Sequence, residues 1–465
     1  MEPITLQEIL EAVDGKLCGE ETDLSLTIEK VDTDSRNIHP GALFLPLEGE
    51  RFDGHAFIND ALEAGAAGCI FARERSSYLP GKFYIKVGNT QRALRDLARW
   101  YKSRFDIPFI GVTGSVGKTT TKDMIAAVLG ERYKVLKTEG NFNNKVGLPL
   151  TILRLNHTHE ICVLEMGMDT LGEIDYLAGI VEPDVAVITN IGDAHIENLG
   201  SRENILKAKC EIFNHTKQNG LAVLNGDDEL LTTLRGNLNV RTVWCGSGEN
   251  NEYRASNVNS DGESVIRCEV ETPYNHCNIE IPALGNHMVY PALMAGAIGE
   301  HFGLDREEIE RGILHFAPTK MRMNILRRDE GITILNDTYN ANPQSMRAAV
   351  EVLATGKAKT KIAVLGDMLE LGPLAPMLHA GIGELVAKSG IQYLVCAGEM
   401  SKHIADAAEA AGMSEVYWRP NKKEALTVLE QIVKPDCTVL VKASRGMAFE
   451  EFVEFLKGIT KDLAE

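Results

Sequence analysis

The segment Phe109-Ile110-Gly111-Val112-Thr113-Gly114-Ser115-Val116-Gly117-Lys118-Thr119-Thr120 runs from an apolar strand pattern through a glycine-rich loop into a helical pattern. A phosphate-binding loop requires this order. Glycines let backbone N–H groups turn toward phosphate oxygens, and the start of the following helix adds positive potential. Lys118 would reach the β- and γ-phosphates, and Thr119 could hold Mg²⁺. The segment therefore predicts a nucleotide site at the end of a strand.

The loop departs from the general phosphate-loop pattern at Val112, where that pattern has glycine. The alternative interpretation is a glycine turn before a helix, with a lysine that has no function. We predict that the whole loop contacts a nucleotide. The candidate cofactor-binding residues of the loop are Val112, Thr113, Gly114, Ser115, Val116, Gly117, Lys118 and Thr119.

The sequence on either side of this loop alternates apolar runs with helical patterns. Continuous apolar runs are typical of buried parallel strands, and helices between them imply a doubly wound sheet covered on both faces. A β-rich patch at 256–281 interrupts the alternation, and a second, Rossmann-like series begins after about residue 317. The strand runs are 109–113, 161–164, 185–189, 222–225, 332–336, 362–365, 393–397 and 438–442, and helices are predicted over 122–129 and 202–213.

The length of 465 residues predicts several domains, at roughly 100 to 200 residues per domain. The first part of the chain combines strand patterns at 43–47 and 83–87 with a helical pattern at 57–65, and an amphipathic helix over 90–105 follows. We therefore predict an α/β protein of three domains. These are a small N-terminal α/β module at 1–88, a central phosphate-loop domain with a mostly parallel sheet at 89–316, and a C-terminal Rossmann-like domain at 317–465.

Composition limits the partners and the compartment. The chain has 48 Lys and Arg against 66 Asp and Glu, a net charge of -18, which disfavours nucleic acid and anionic membrane as partners. The nine cysteines form no C-x-x-C pair and no regular spacing, which fits reduced thiols better than zinc or disulfides. No leader pattern or membrane span is apparent. We expect a cytoplasmic protein that binds phosphate at a local site.

Four further features are candidates for the site. Glu165 follows a strand run, where doubly wound sheets place ligands, and its oxygens could bind Mg²⁺. A solvent-facing carboxylate is the alternative. His195 also follows a strand, although a lone histidine is more often structural, and Lys209 lies on a helix where most lysines are simply solvated. The loop at 138–149 carries Asn141, Asn143 and Asn144, more hydrogen-bonding capacity than a turn needs, so binding is favoured over turn chemistry.

These residues belong to a set of short motifs. Beside the phosphate loop, the central part contains Gly140-Asn141-Phe142-Asn143-Asn144, Glu165-Met166-Gly167, Asp193-Ala194-His195 and Ala208-Lys209-Cys210-Glu211. The C-terminal part contains Asn336-Asp337-Thr338-Tyr339-Asn340-Ala341-Asn342-Pro343, Gly366-Asp367-Met368-Leu369-Glu370-Leu371-Gly372 and Lys442-Ala443-Ser444-Arg445-Gly446. Together they resemble the Mur ligases, which are ATP-dependent amide ligases of peptidoglycan precursor synthesis. The C-terminal motifs resemble the members that join D-alanyl-D-alanine to UDP-N-acetylmuramoyl-tripeptide.

The resemblance implies a role for each matching residue. Lys118, Glu165, His195, Lys209 and Arg322 would be catalytic. Thr119, Glu165, His195 and a carbamylated Lys209 would hold two Mg²⁺ ions, and Arg322 and Asp337 would close over ATP. Asn141, Asn143 and Asn144 would contact substrate, and Asn340, Lys442, Ser444 and Arg445 would lie near the dipeptide. Ser35, Arg36, Asp53 and His55, in Asp34-Ser35-Arg36 and Gly49-Glu50-Arg51-Phe52-Asp53-Gly54-His55, would grip the UDP-sugar, although each is weak alone.

One departure concerns the adenine. After Gly285-Asn286-His287 the family usually has asparagines that are thought to read the base, whereas this sequence has Met288 and Pro291. Pro291 suits the first turn of a helix. The resemblance then leaves Asn286, backbone groups or apolar packing to hold the base.

The implied reaction moves the γ-phosphoryl group of ATP onto the tripeptide carboxylate, and the dipeptide amine attacks the resulting acyl phosphate. An intermediate that hydrolyses readily favours a C-terminal domain that closes over the site. We expect a monomer, and the third residue of the tripeptide, lysine or diaminopimelate, stays open.

Three rival interpretations compete with this one. A related ligase could add a single amino acid to a muropeptide or glutamate to a folate, but the Asp-Asn-Pro-Arg signature of the diamino-acid-adding enzymes is absent. A GTPase or motor would carry Asn-Lys-x-Asp, which Asn421-Lys422-Lys423-Glu424 does not complete. A binding module without catalysis is disfavoured by the retained Lys118, Thr119, Glu165 and His195.

Overall fold

The computed structural model describes residues 1–49, 52–328 and 331–458. Two residues of the predicted UDP-sugar motif, Glu50 and Arg51, and the last part of the predicted third domain, 459–465, lie outside the described residues. The described chain forms a mixed α/β protein with largely parallel sheets, which confirms the predicted fold class.

The N-terminal region carries a five-stranded sheet of order β2-β7-β6-β5-β4 and a two-stranded sheet of β1 and β3. Its first helix begins where Thr5 and Glu8 form a reciprocal capping box, and it buries Leu6, Ile9 and Val13 on one face. The elements are β1 Ile4–Thr5, α1 Leu6–Val13, β2 Lys16–Cys18, β3 Thr27–Ile28, β4 Val31–Asp32, β5 Leu43–Phe44, α2 Ile58–Glu63, β6 Gly68–Phe71, β7 Phe83–Lys86 and α3 Thr90–Lys102.

The central region forms a nine-stranded sheet of order β16-β15-β14-β13-β12-β11-β8-β10-β9. All neighbours from β9 to β14 pair in parallel, and β15 and β16 add an antiparallel edge. The elements are β8 Phe109–Thr113, α4 Lys118–Leu129, β9 Val135–Lys137, α5 Gly147–Ile152, β10 Ile161–Glu165, α6 Glu173–Val181, β11 Val185–Ile188, α7 Ile196–Leu199, α8 Arg202–Cys210, β12 Leu221–Asn225, β13 Arg241–Gly246, β14 Tyr253–Ser260, β15 Ile266–Glu271, β16 His276–Ile281, α9 Val289–His301 and α10 Arg306–Leu314.

Both faces of this sheet are buried, as its apolar runs predict. Along β8, Ile110 and Val112 pack with α4, α9 and α10 on one face. Gly111 points to the other face, where an added Cβ would lie 2.8 Å from Met166 Cε. The helix predicted over 202–213 ends at Cys210 and continues as a 3-10 helix over Glu211–Asn214. The sheet is therefore a rigid support for the loops at its carboxyl edge.

The C-terminal region forms a six-stranded sheet of order β17-β18-β22-β19-β20-β21, in which only β17 is antiparallel. Its elements are β17 Asn324–Arg327, β18 Thr333–Asn336, α11 Pro343–Thr355, β19 Thr360–Gly366, α12 Ala375–Lys388, β20 Tyr393–Ala397, α13 Lys402–Ala410, β21 Val416–Arg419, α14 Lys422–Ile432, β22 Cys437–Lys442 and α15 Glu450–Gly458. Among the described residues we find no helix with the length and apolar character that crossing a membrane requires.

Candidate active site

The site is a cleft of about 1500 Å³ at the carboxyl edge of the central sheet. The phosphate loop and the start of α4 form one wall, and the connection at 320–326 with the end of β18 forms another. A cavity of this size accommodates a nucleotide together with parts of further substrates. The cleft is therefore lined by both the central and the C-terminal regions.

The phosphate loop has the conformation that its glycines predict. Gly114, at φ +149, lies so close to Thr189 that an added Cβ would be 1.8 Å from its Oγ1. Gly117, at φ +81, is the N-cap of α4 and offers no side chain to cap the helix. The first N–H groups of a helix have no intrahelical acceptor, so here they stay available for a ligand. The Nζ of Lys118 donates to Gly114 O at 2.8 Å, so the lysine side chain folds back over the loop. This helix terminus is suited to bind an anion.

Asn190, which the sequence did not single out, fixes the loop from the neighbouring strand. Its backbone oxygen accepts from Ser115 N at 3.0 Å and its Oδ1 accepts from Val116 N at 3.0 Å. These two N–H groups are therefore engaged within the protein. The open donors of the loop lie further along, at the start of α4.

Glu165 ends β10 and is only 2% exposed. Its Oε1 accepts from Asn143 Nδ2 at 2.8 Å, and its backbone N–H donates to Thr138 Oγ1 at 3.0 Å. Its Oε2 is buried and has no hydrogen-bond partner in the described part of the chain. A buried carboxylate oxygen without a partner is costly, so this atom fits a cation ligand.

The asparagine loop divides its roles. Asn143 donates from its Nδ2 to Glu165, a contact within the protein. Asn144 instead accepts from Val146 N at 3.1 Å and Gly147 N at 2.9 Å, which is turn chemistry. Asn141 is exposed. The predicted substrate contacts of Asn141, Asn143 and Asn144 stay predictions.

Lys209 lies on α8 and is 1% exposed. Within residues 1–49, 52–328 and 331–458 its ammonium nitrogen has neither a hydrogen bond nor an ion pair. Burial, and second the positive charge of Lys118, lower the pKa of Lys209 well below 10.5. Burial also lowers the pKa of Lys118, while Glu165 opposes that shift. Burial therefore disfavours the charged form of Lys209.

His195 faces two carboxylates that the sequence did not connect with it. Its Nδ1 is 2.7 Å from Glu370 Oε2 and 3.2 Å from Asp169 Oδ1. The interaction with His195 lowers the pKa of Glu370. The three side chains form a group that could hold a metal ion, and Glu165 is not part of that group. Because Glu370 follows β19, this group joins the C-terminal region to the central one.

The structure brings together Asp337 and Lys442, which the resemblance assigned to different ligands. Asp337 Oδ2 accepts from Lys442 Nζ at 2.5 Å, and its Oδ1 accepts from Met323 N at 3.2 Å. Lys442 is 1% exposed, and burial lowers its pKa while Asp337 opposes the shift. Both oxygens of Asp337 are thus engaged within the protein, and its contact with ATP stays a prediction.

The other predicted dipeptide residues are also tied to each other. Asn340 Oδ1 accepts from Ala341 N at 2.9 Å and from Arg445 N at 3.3 Å. Ser444 Oγ donates to Ala341 O at 3.2 Å and accepts from Leu369 N at 2.9 Å. Asn340 and Lys442 line the cleft, whereas Ser444 and Arg445 do not.

The predicted UDP-sugar residues lie away from the cleft lining. Arg36 is bound to Asp34 at 2.7 Å, and its side chain is 86% exposed. His55 Nδ1 is 2.6 Å from Asp53, and its Nε2 accepts from Ala72 N at 3.0 Å. Because the Nε2 is an acceptor, Nδ1 carries the proton, and both ring nitrogens are already engaged. The contacts of Ser35, Arg36, Asp53 and His55 with the UDP-sugar stay predictions.

The side of the cleft that the resemblance predicts to hold the base is lined by His287, Met288, Tyr290 and Pro291, while Asn286 is exposed and does not line it. Tyr290 donates from its hydroxyl to Asp227 Oδ2 at 3.0 Å. The sequence did not single out Tyr290. The wall offers apolar packing rather than amide side chains at the two departing positions.

Comparison with known families places all three regions in one group. The model described as "Mur ligase family, catalytic domain" matches residues 27–102, "Mur ligase middle domain" matches 112–299, and "Mur ligase, glutamate ligase domain" matches 321–445. These matches cover the phosphate loop, Glu165, Lys209 and the C-terminal motifs.

Individual relatives extend over nearly the whole chain. The chain is 40% identical to the UDP-N-acetylmuramoyl-tripeptide--D-alanyl-D-alanine ligase of Bacillus subtilis over 97% of this chain and 98% of that protein. Crystal structures of MurF from Acinetobacter baumannii (30% identity, TM-score 0.89, covering 98% of this chain and 99% of that one) and of MurF from Thermotoga maritima in complex with ADP (29% identity, TM-score 0.81, covering 92% and 97%) are similar in fold. The chain therefore belongs to the Mur ligase family.

Proposed function

We propose that this chain joins D-alanyl-D-alanine to UDP-N-acetylmuramoyl-tripeptide and consumes ATP, giving the UDP-muramoyl-pentapeptide, ADP and phosphate. The observation that carries the proposal is full-length similarity to relatives named for this activity, at up to 40% identity. The cleft supports it, because the phosphate loop and residues of two C-terminal motifs, among them Asp337, Asn340 and Lys442, line one cavity.

A carboxylate does not condense with an amine in neutral water, so the acid must first be activated. In the proposed first step the tripeptide carboxylate attacks the γ-phosphorus of ATP, which gives an acyl phosphate and ADP. Phosphoryl transfer depends mainly on positioning and on charge stabilisation. The N–H groups at the start of α4 and the ammonium of Lys118 would hold the phosphates, and Arg322 would face them across the cleft.

In the second step the neutral amine of D-alanyl-D-alanine attacks the acyl carbon and phosphate leaves. The amine nitrogen loses a proton as the amide forms. Asn340 and Lys442 lie on the C-terminal wall of the cleft and would orient the dipeptide, with Ser444 and Arg445 behind them. Closure of the C-terminal region would exclude water from the acyl phosphate.

The residues fit the two Mg²⁺ ions that the family resemblance implies. Glu165 offers a buried oxygen with no partner in the described chain, and His195 lies in a group with Asp169 and Glu370. Burial disfavours the charged form of Lys209, and its uncharged amine could add to CO₂ and release a proton to form a carbamate, whose carboxylate would supply further oxygens. Thr119 and His195 line the cleft, whereas Glu165 and Lys209 are buried and are not among its lining residues. Bound Mg²⁺ would neutralise phosphate charge.

We propose in addition that the protein is a monomer and acts in the cytoplasm, where ATP is available and thiols stay reduced. The identity of the third residue of the tripeptide is tested with the same assay. Tripeptide substrates ending in lysine and in diaminopimelate would be compared for kcat/KM.

The test supplies ATP, Mg²⁺, UDP-N-acetylmuramoyl-tripeptide and D-alanyl-D-alanine together, and it follows phosphate release and product mass. We expect one phosphate per pentapeptide formed and no product when any one component is left out. Single amino acids and folate with glutamate serve as alternative substrates. Faster amide formation with any of these, or nucleotide hydrolysis that ignores muropeptide and dipeptide, would overturn the proposal.

A further inference from the structure

Arg322 lies in a short connection between the central and C-terminal regions. We call residues 319–323, which lead from α10 to β17, the Arg322 strap. Its Met321 has φ +65 and its Met323 has φ +49. Non-glycine residues adopt this left-handed region only where surrounding contacts hold them. Because one such residue lies on each side of Arg322, the direction of its side chain is strongly constrained.

One end of the strap is fastened to the phosphate-binding helix. Thr319 Oγ1 donates a short hydrogen bond to Asp123 Oδ2, and Arg322 N donates to Thr319 O at 3.2 Å. Asp123 lies on α4, is 3% exposed, and has its Oδ1 2.7 Å from Lys137 Nζ and 3.1 Å from Lys122 Nζ. A buried carboxylate held by two ammonium groups is a fixed acceptor. Thr319 therefore keeps a constant position relative to the helix that would bind phosphate.

The other end is fastened to the C-terminal region. Met323 N donates to Asp337 Oδ1 at 3.2 Å, and Tyr339 N donates to Met321 O at 3.1 Å. The guanidinium carbon of Arg322 lies 3.9 Å from the centre of the Tyr339 ring, which holds the planar cation in place. Its buried Nε finds no hydrogen-bond acceptor within the described ranges. Arg322 is thus a held cation that lines the cleft without a carboxylate partner in the described chain.

We propose that Thr319 and Asp123 are positioning residues for Arg322. The hydroxyl of Thr319 ties the strap to α4, so the guanidinium keeps its place opposite the phosphate loop. The inference rests on the proposed function, in which Arg322 stabilises charge on the transferring phosphoryl group. Without the tie, the strap would be held only from the C-terminal side, and Arg322 would follow the movements of that region.

The test is a double-mutant cycle on pentapeptide formation. We expect Thr319→Val to lower kcat about tenfold, the size of one hydrogen bond to a charged group, and to change the KM for ATP by less than about twofold. Thr319→Ser, which keeps the hydroxyl, should recover most of the rate. In an Arg322→Ala background, Thr319→Val should cause no further loss of kcat, because the positioned group is already gone.

Controls separate positioning from folding and from the proposed function itself. Thr427→Val removes a similar hydroxyl bond from α14, away from the cleft, and should leave kcat unchanged. The melting temperature is measured for every variant, and Thr319→Ala replaces Thr319→Val if the valine variant does not fold. Equal losses in the two Arg322 backgrounds, or no loss in either, would overturn the positioning role while the ligase activity of the wild type stands. A wild type that forms no pentapeptide would instead overturn the proposed function.

Discussion

The central and C-terminal sheets have similar architectures but opposite chemistry at their carboxyl edges. In the central sheet the loop after β8 leads to α4, whose first turn has no side-chain cap. In the C-terminal sheet the loop after β19 carries Asp367, which is 6% exposed. Its carboxylate accepts from Ser401 N at 2.7 Å and from Glu399 N at 3.1 Å, just before α13. The central sheet leaves its backbone donors open for a ligand, and we call this its open edge. In the C-terminal sheet the carboxylate of Asp367 occupies the corresponding donors, and we call this the filled edge.

The difference shows that fold alone does not make a phosphate site. A strand, a loop and a helix amino terminus occur at both places: β8 leads to α4, and β20 leads to α13. Both of these loops use glycine at positive φ, Gly114 and Gly398. What distinguishes them is one charge. Lys118 follows the glycines of the first loop. At the second place Asp367, which follows the neighbouring strand β19, reaches the start of α13, fills the anion position and would repel phosphate. The C-terminal sheet is therefore left to present side chains to the shared cleft.

The largest effect should come from removing the cation of the open edge. We expect Lys118→Ala to lower pentapeptide formation by at least about a thousandfold, because the charge on the phosphates loses its main side-chain partner. The matched control is Lys402→Ala, at the start of α13 on the filled edge, where the lysine pairs with exposed Asp406 and its Nζ lies 5.7 Å from the centre of the Trp418 ring. Circular dichroism should show both variants folded. Wild-type turnover by Lys118→Ala would remove the nucleotide assignment.

The next effect concerns the internal carboxylate of the filled edge. Asp367→Ala would leave the buried N–H of Ser401 and the partly buried N–H of Glu399 without their acceptor, so we expect the free energy of unfolding to fall by about 2 kcal/mol. Asp367→Asn keeps one acceptor oxygen and should lose less. Denaturant unfolding measures both changes. If Asp367→Ala were as stable as the wild type, the filled edge would not depend on this carboxylate.

Much of the fold and part of the site could be predicted from the sequence. The apolar runs of β8, β10 and β11 are long enough to indicate buried strands, and the phosphate loop is recognised from the order of its residues. Strand lengths were less certain, because β5 covers only Leu43–Phe44 of the predicted run 43–47, and Pro46 in that run cannot donate to a ladder.

The rest of the site depends on contacts between residues far apart in the chain. Glu370 meets His195, and Lys442 meets Asp337, although more than 100 residues separate the members of each pair. No local pattern reports such a pairing. Burial is equally hidden, since Lys209 has the neighbours of an ordinary surface lysine, and only the family resemblance singled it out.

The central and C-terminal regions each bury a lysine, Lys209 and Lys442, and the two should differ in their effect on stability. Lys209 has no partner in the described chain, whereas Lys442 is paired with Asp337. Replacing an unpaired buried amine by an apolar side chain of similar volume should stabilise, so we expect Lys209→Met to raise the free energy of unfolding by roughly 1–2 kcal/mol. Lys442→Met would leave Asp337 unpaired and should lower it by about 3 kcal/mol.

The pH dependence of Lys209 has a definite sign. Its pKa in the folded state is lowered below the ordinary 10.5. At a pH between the folded-state pKa and 10.5, the unfolded chain therefore binds a proton that the folded chain does not. The contribution of Lys209 to stability therefore becomes more favourable as pH rises toward 10.5. Unfolding measured in CO₂-free buffer should show this rise in the wild type and a smaller one in Lys209→Met. An identical pH profile in the two proteins would contradict a lowered pKa for Lys209.

The smallest effect compares two buried serines, one at each edge. Ser115 Oγ accepts from Gly192 N at 2.8 Å in the phosphate loop, and Ser401 Oγ donates to Gly398 O at 3.0 Å beside Asp367. Each alanine variant loses one hydrogen bond, so we expect the free energy of unfolding to fall by about 1 kcal/mol in both. The edges differ in what else follows. Ser115→Ala should also raise the KM for ATP severalfold, because the loop that would hold the phosphates loosens, while Ser401→Ala should leave that KM unchanged. If Ser115→Ala and Ser401→Ala had equal KM values for ATP, the hydrogen bond of Ser115 would not be needed for nucleotide binding. The start of α4 with Lys118 would then be sufficient to bind the nucleotide.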